Sequence, residues 1–597
     1  MNLSEQSPPT DRLRWLDLAA KALRRTTGRP VDRSEVEELL TTTTYDGLGI
    51  RPLYTAESAG DVPYRLRTRP PAGGWQIRQH HRHAGPDRAG QIVRDDLDAG
   101  VTSVWLAVGA DGLPIGELPG VLDEIDPVRH PVVLDAGDDV GEAAEILLRY
   151  AARAAGPVTA GLGADPLAHR AATGVPADED APTVLAARCT GSFPGVRAYT
   201  IDATVYHDAG ASDAQELGCA LAVAVHYLRR MTGAGLTAGE AFQQIEFRYA
   251  ATADQFATIA KFRAARRLWA RVGEVCGAPP SAAVQQQHAV TSSAMMTARD
   301  PWVNILRSTL ACFGAGIGGA DAVTLQPYDA VLGPPGELAR RVARNTGSIL
   351  LAECHLGRVR DPAGGSWYVE ELTGELARVA WDWFAEIECQ GGAVAVLESG
   401  LLAKRLAETW DRRRDDLAHR RGVITGVSDF PLPDEPRPPR AVPPPGPAGA
   451  LPRHRYAEDF EELRDRADAW SDRYGQRPEV FIALLGAAAA RGSRPAFVTN
   501  LFAAGGLGAR TVNSTDPGRL AAAFSASGLR VACLVGPDEA YADRAEQVIR
   551  ALRDAGAVTV WLAGRPDPAH GADGHVHAGC DALSVLRTTY SCLERPR

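Results

Sequence analysis

Four stretches of this 597-residue chain carry residue types able to do chemistry. In "RQHHRHAG", His81 and His83 share a face if the segment is extended, with His80 beside them, a spacing that could hold a metal ion. No acidic or cysteine ligand follows nearby, and clustered histidines more often hydrogen-bond or solvate, so no metal is expected. "VYHDAGASDAQE" sets His207 beside Asp208 and Asp213 at a helix start, where capping and dipole compensation by the aspartates are expected ahead of acid–base work. "GAGIGG", with Gly314, Gly316 and Gly319, has the dinucleotide-fingerprint spacing but ends a helical run and precedes a strand, the reverse of the required order. It reads as a glycine-rich helix exit. "GAAAARGS" follows the strand-like "VFIALL", where phosphate loops sit, yet it holds no lysine and its glycines are one residue too far apart.

The chain that must position these groups is acidic. Its formal charge of −10 argues against a nucleic-acid backbone or an anionic membrane as main partner. Nine cysteines with no C-x-x-C pair read as reduced thiols in a cytoplasmic protein without a zinc site. The N-terminus lacks an apolar h-region, and "FIALLGAAAA" is far short of the roughly 18 residues of a membrane helix. A soluble chain too long for one core is therefore expected.

The prolines of residues 430 to 455 forbid helix and central strand, leaving an extended linker. Before it, "VTSVWLAVG", "PVVLDAG", "VTAGLG", "VRAYTIDAT" and "AVTLQPYD" alternate with helical patterns, which predicts a parallel sheet or barrel. In "ATIAKFRAARRLWARVGEVC", Ile259, Phe262, Trp269, Val272 and Cys276 oppose Lys261, Arg263, Arg266 and Arg271. That basic face could grip phosphates, but a solvated helix surface is the expectation. After the linker, Phe460, Leu463, Ala467, Trp470 and Tyr474 form a helical stripe. Then "VFIALLG", "ARTVNS", "RVACLVG" and "AVTVWLAG" predict a small doubly wound, flavodoxin-like domain, with ligands expected at the carboxyl ends of its strands. At the N-terminus, Leu13, Trp15, Leu16, Leu18 and Leu23 mark one amphipathic helix and "RSEVEELLTTT" a second. These helices could dock on the chain's own body or on a partner.

Taken in order, "GGWQIRQH", "IAKFRAARRLWA", "TARDPWVNILRSTL", "RRVARNTGSILLAE", "DPAGGSWYVEELT" and "IECQGGAVAVLESG" resemble the methylmalonyl-CoA mutase family from about residue 45 to 597. The resemblance implies an α/β chain: a helical arm (1–45), a (β/α)8 TIM-like barrel (46–429), a proline-rich linker and helix (430–475) and a flavodoxin-like cobalamin-binding domain (476–597). In active members an acyl-CoA threads the barrel and adenosylcobalamin lies between the domains.

Three groups central to that radical chemistry are replaced. The cobalt-ligand loop D-x-H-x-x-G, matched on Arg491-Gly492, has Ala487 for aspartate and Ala489 for histidine. The tyrosine of I-R-Q-Y is His80, and in the pattern G-Y-H-x-x-E-A-G-A the tyrosine and the carbonyl-binding histidine are Thr204 and Val205. "GLGADPLAHRAATGVPADEDAPTVLAARC" does not align with the region of the substrate-carboxylate arginine.

This pattern resembles the small, non-catalytic subunit of the heterodimeric bacterial enzyme. It implies a chain without catalytic residues or bound cofactor, paired with a large catalytic subunit that holds adenosylcobalamin and interconverts succinyl-CoA and methylmalonyl-CoA. Two alternatives stay open at this point: an active acyl-CoA mutase holding cobalamin without a histidine ligand, and an acyl-CoA-binding regulatory module.

Overall fold

Eight short parallel strands close on themselves: β1 (Gln76–His81), β2 (Ser103–Ala107), β3 (Val132–Asp135), β4 (Ala160–Ala164), β5 (Val196–Asp202), β6 (Ile245–Ala251), β7 (Gln286–Thr291) and β8 (Ala322–Thr324). Each pairs with the next, and β8 pairs with β1, giving a TIM-like barrel. This computed structural model describes residues 12–55, 74–82, 88–109, 112–432, 435–436, 449–486, 489, 492–566 and 571–594, and the statements below concern those residues. His83, Ala487 and most of the linker (437–448) lie outside them.

All five apolar runs before the linker form barrel strands. β1, β6 and β7 carry arginine, glutamine, glutamate and histidine, so no apolar run announces them. Residues of alternate parity point outward: Val104, Leu106, Val132, Leu134, Ile245, Phe247 and Tyr249 join the main core beneath the helices.

An arm of two helices, α1 (Arg12–Thr27) and α2 (Arg33–Leu40), precedes the barrel. Thr42 and Thr43, expected to continue the second helix, instead pair antiparallel with Gly49–Ile50. Around the barrel, α3 (Asp213–Gly233), α4 (Gln255–Val275) and α5 (Val303–Ile317) follow β5, β6 and β7. Next come α6 (Trp367–Cys389) and α7 (Leu401–Ala418), then α8 (Glu458–Tyr474) beyond the linker.

The cap of α3 differs from expectation, while Asp213 does lie in the first turn, where its charge complements the helix dipole as expected. Ser212 and Gln215 form a capping box, so neither aspartate is the cap. Asp213 instead ion-pairs with Lys261 at 2.8 Å, and Asp208 accepts a hydrogen bond from Ser293 Oγ at 2.6 Å. α5 does exit through glycine, with Gly318 at its C-cap and Gly319 at φ +87°. Gly316 serves packing inside that helix, because a Cβ there would sit 2.3 Å from the Trp75 ring.

The basic face of α4 overturns its expectation. Lys261 and Arg263 are fully buried and Arg266 nearly so, because α3, α5 and α6 close over the helix. Lys261 Nζ lies 2.8 Å from both Asp213 and Glu216. Arg263 donates to Asp361, Glu370 and Thr373, and Arg266 to the carbonyls of Gly318 and Gly319. Arg271 alone of the four remains on the surface, paired with Glu274.

After α8 a second sheet forms from β9 (Glu479–Leu484), β10 (Gly508–Asn513), β11 (Val531–Val535), β12 (Thr559–Ala563) and β13 (Gly574–Val576). All pairs are parallel, in the order β10-β9-β11-β12-β13. β13 is a three-residue edge strand with no apolar run in its sequence. Alternation divides the sheet between two cores. Val480, Ile482, Leu484, Val531, Cys533 and Val535 face one, while Phe481, Ala483, Leu485, Ala532 and Leu534 face the other. The first core also takes in Trp410 and Leu417 of α7 and Phe460, Leu463 and Ala467 of α8, so it joins the second sheet to the barrel's outer helices. Tyr474, at the end of the α8 stripe, stays exposed.

The arm is anchored at its root. Both carboxylate oxygens of Asp46 accept from Ala214 N at the start of α3, and Arg413 lies over the Tyr45 ring. Burial, then the nearby Asp213 carboxylate, raises the Asp46 pKa to about 6. Because the folded value exceeds the unfolded one, the stabilisation is full below the unfolded pKa near 4 and is lost as pH rises through 6. Asp46→Asn keeps one acceptor for Ala214 and sheds the charge. Thermal melts are expected to show it more stable than the parent by about 1 kcal/mol at pH 7.5 and indistinguishable at pH 4. Equal gains at both pH values would contradict this.

Candidate functional site

The barrel axis is the first place where a ligand could lie, and side chains fill it. Arg78 of β1 donates to Glu246 of β6 at 2.5 Å and to Ser103 Oγ at 3.0 Å. Arg248, two residues along β6, donates to Asp202 Oδ2 at 2.7 Å. Beside Arg248 stands Trp105 of β2. Its ring stacks on His80 with centroids 3.8 Å apart, carries the Arg248 guanidinium 4.0 Å from its centroid, and meets His288 edge-on at 5.3 Å. Val133 and Val290 complete its packing.

The electrostatics match this burial. For Glu246, burial is outweighed by the adjacent Arg78 and the carboxyl sits below its usual range. Burial raises Asp135 against the pull of Arg248. Burial, with Arg78 and Arg248 close by, holds His288 neutral; its Nε2 lies 2.8 Å from Thr324 Oγ1. An eight-stranded barrel has an interior just wide enough for side chains to fill. Here charged pairs and an indole occupy it instead of the branched apolar layers usual in such barrels. At the amino-terminal end a polar cavity remains, lined by Arg78, Arg197, Glu246, Gln286, Gln287 and Asp321.

The second place is the carboxyl edge of the smaller sheet. Leu485 N donates to Val535 O, drawing the chain after β9 onto the end of β11. Arg494 donates to Gly536 O at 2.6 Å and to Asp538 at 2.7 Å, spanning the same edge. Tyr541 OH accepts from Gly536 N and donates to Ala563 O, both at 2.7 Å. Ala489 is buried in the core containing Leu484 and Val498. Gly492 follows as N-cap of the helix Ser493–Ala504.

Comparison with known proteins adds the lineage. Residues 162–471 match the family model for methylmalonyl-CoA mutase. The chain is 52% identical over 604 residues to a methylmalonyl-CoA mutase small subunit from Streptomyces virginiae, covering 99% of this chain and 98% of that protein. The chain belongs to the methylmalonyl-CoA mutase family. A small subunit from Propionibacterium freudenreichii subsp. shermanii is 35% identical, with 99% of this chain and 96% of that protein covered. A probable small subunit from Mycobacterium bovis is 42% identical over 92% of each.

Within this methylmalonyl-CoA mutase relative, the positions singled out in the sequence do not converge on a site. His80 lies in the barrel against Trp105. His81, next along β1, is buried beside Asp96 on the outer side, and burial lowers its pKa to about 3. Adjacent strand residues face opposite ways, so these two histidines cannot share a metal ion. Among the described residues no group of three or more His, Cys, Asp or Glu could hold one. Thr204 Oγ1 donates to Asp202 at 2.5 Å, and Val205 packs against the main core. His207 is buried, with Nε2 at 2.7 Å from Ser292 Oγ and Nδ1 at 3.5 Å from Glu216. Ser292, His207 and Glu216 have the look of a nucleophile relay, but each is buried and Glu216 is committed to Lys261 and Ala250 N.

Sequence reading missed Trp105, Arg248, Glu246 and Asp165. Asp165 caps the helix Pro166–Thr173 and accepts from Tyr227 OH and Asp202 N, each at 2.7 Å; burial raises it to about 7. The one available signal was the pair of charges in β6, which points to Glu246 and Arg248 but not to Trp105 or Asp165.

Proposed function

We propose that this chain is a non-catalytic small subunit that pairs with a catalytic large subunit of methylmalonyl-CoA mutase and stabilises it. Trp105 carries the reading. An indole wedged between His80 and Arg248 stands where, by family resemblance, the acyl-CoA chain would thread the barrel. A Val205 methyl group cannot polarise a thioester carbonyl.

The smaller domain, flavodoxin-like in its strand order, does not fit adenosylcobalamin either. Ala489 turns into the core at the position of the cobalt-ligating histidine, and Leu485, Arg494 and Tyr541 tie down the strand edge where a ligand would enter. An alanine methyl offers no lone pair. No step of the radical reaction is assigned to this chain.

The arm supports a partner. α1, α2 and their loop bury Ala20, Val31 and Val36, with Trp15, Leu16, Ala19 and Leu23 part-buried against them, and leave Leu18 59% and Leu39 43% exposed. Two helices with so small a core gain little stability alone, and covering by a second chain would supply the missing burial. Among the described residues no helix is long and apolar enough to cross a membrane.

The test is gel filtration of the chain with and without a co-expressed large subunit and adenosylcobalamin. Co-elution with the large subunit, with no corrin absorbance on the isolated chain, is expected. Corrin absorbance migrating with the isolated chain would favour an active enzyme with another mode of cobalamin binding. Calorimetric binding of a CoA ester without turnover would favour a regulatory module.

A further inference from the structure

The outer face of α5 is apolar where a barrel helix normally meets water. Trp302, at its N-cap, is 58% exposed, Leu306 64% and Leu310 43%. Spaced four residues apart, they form one continuous ridge of the kind that seats in the groove of another helix. The only charged residue of α5 is Arg307, and its guanidinium is committed to Thr297, Asn304 and the carbonyl of Thr425.

That last bond extends the face. It holds the segment after α7 against α5, and Glu435 accepts from Asp300 N, two residues before Trp302. The segment adds Val423, Phe430 and Leu432, each more than half exposed. Phe430 is held outward at φ +51°, a conformation costly for a bulky residue. At roughly 100 Å² apiece, these six side chains offer on the order of 600 Å² of apolar surface. That is the upper end for a patch on a monomer and most of the ~800 Å² that each partner contributes to a standard interface.

We propose that Trp302, Leu306, Leu310, Val423, Phe430 and Leu432 form the docking surface for the catalytic large subunit. This rests on the small-subunit reading above and assigns that pairing to one face. The patch spans both barrel and linker, so a partner seated on it also fixes the path by which the second domain is attached.

Hydroxyl-radical footprinting of the wild-type chain, alone and with the large subunit, tests the assignment. Gel filtration first scores pairing itself; if the wild-type chains do not pair, the small-subunit reading fails and takes this proposal with it. Where they pair, Trp302 and Leu306 are expected to become several-fold less reactive in the complex. Leu306→Glu/Leu310→Glu, with the circular dichroism and melting point of the isolated chain unchanged, is expected to pair at least 100-fold more weakly. Pairing with Trp302 as reactive as in the isolated chain would overturn the surface while leaving the reading intact. So would Trp302 protection that rises with the concentration of this chain alone, which would assign the face to a second copy.

Discussion

Lys261→Met is expected to destabilise the chain by about 3–5 kcal/mol, enough to lose most soluble protein at 37 °C. The ammonium is completely buried and sits 2.8 Å from two carboxylates, Asp213 at the start of α3 and Glu216 one turn on. Burial alone would drive its pKa down, but the two acids override that and raise it, while Lys261 in turn holds Asp213 below its usual range. Methionine fills the space of the stem and leaves the fully buried Glu216 and the part-buried Asp213 without their cation. The cost comes from those anions more than from the lost attraction. Glu216→Gln in the same background keeps an acceptor for Ala250 N and removes one anion, so it is expected to recover about half of the loss. Thermal denaturation followed by circular dichroism reads both. A midpoint for Lys261→Met within 1 °C of the parent would refute this account of α4.

Trp105→Ala is the second large effect, about 3–5 kcal/mol, as for other buried aromatic truncations. The loss removes the ring on which His80 stacks and the face beneath Arg248. The vacated volume has little means of collapsing, because the surrounding strands are fixed by barrel closure. Trp105→Phe keeps an aromatic face toward the guanidinium and is expected to cost only about 1–2 kcal/mol. If alanine and phenylalanine prove equally mild in urea titrations, the indole is not the packing centre of the lumen. The proposed blocked channel would then lose its main support.

These effects explain which parts of the molecule could be read in advance. "VTSVWLAVG" and "PVVLDAG" were legible as strands because their outward residues are apolar and meet helices. "QIRQHH" and "IEFRYAA" obey the same alternation but turn Arg78, His80, Glu246 and Arg248 inward, and so present no apolar run. The basic face of α4 misled for a related reason. Local periodicity reports which residues share a face, not whether that face meets water or three other helices. Lys261 and Arg263 find their carboxylates 45 residues before and some 100 residues after them in the chain.

The candidate site divides in the same way. By themselves, the residue types show that Ala489 and Val205 cannot ligate cobalt or polarise a carbonyl, because a hydrocarbon side chain lacks a lone pair and a polar hydrogen wherever it is placed. Motif order likewise identifies the family lineage, since it depends only on succession along the chain. Tertiary structure alone decided that Ala489 lies in a core, that Trp105 fills the barrel axis and that the ridge of α5 stands open. Burial and stacking join residues brought together only by barrel closure and sheet order, and no local spacing encodes that meeting.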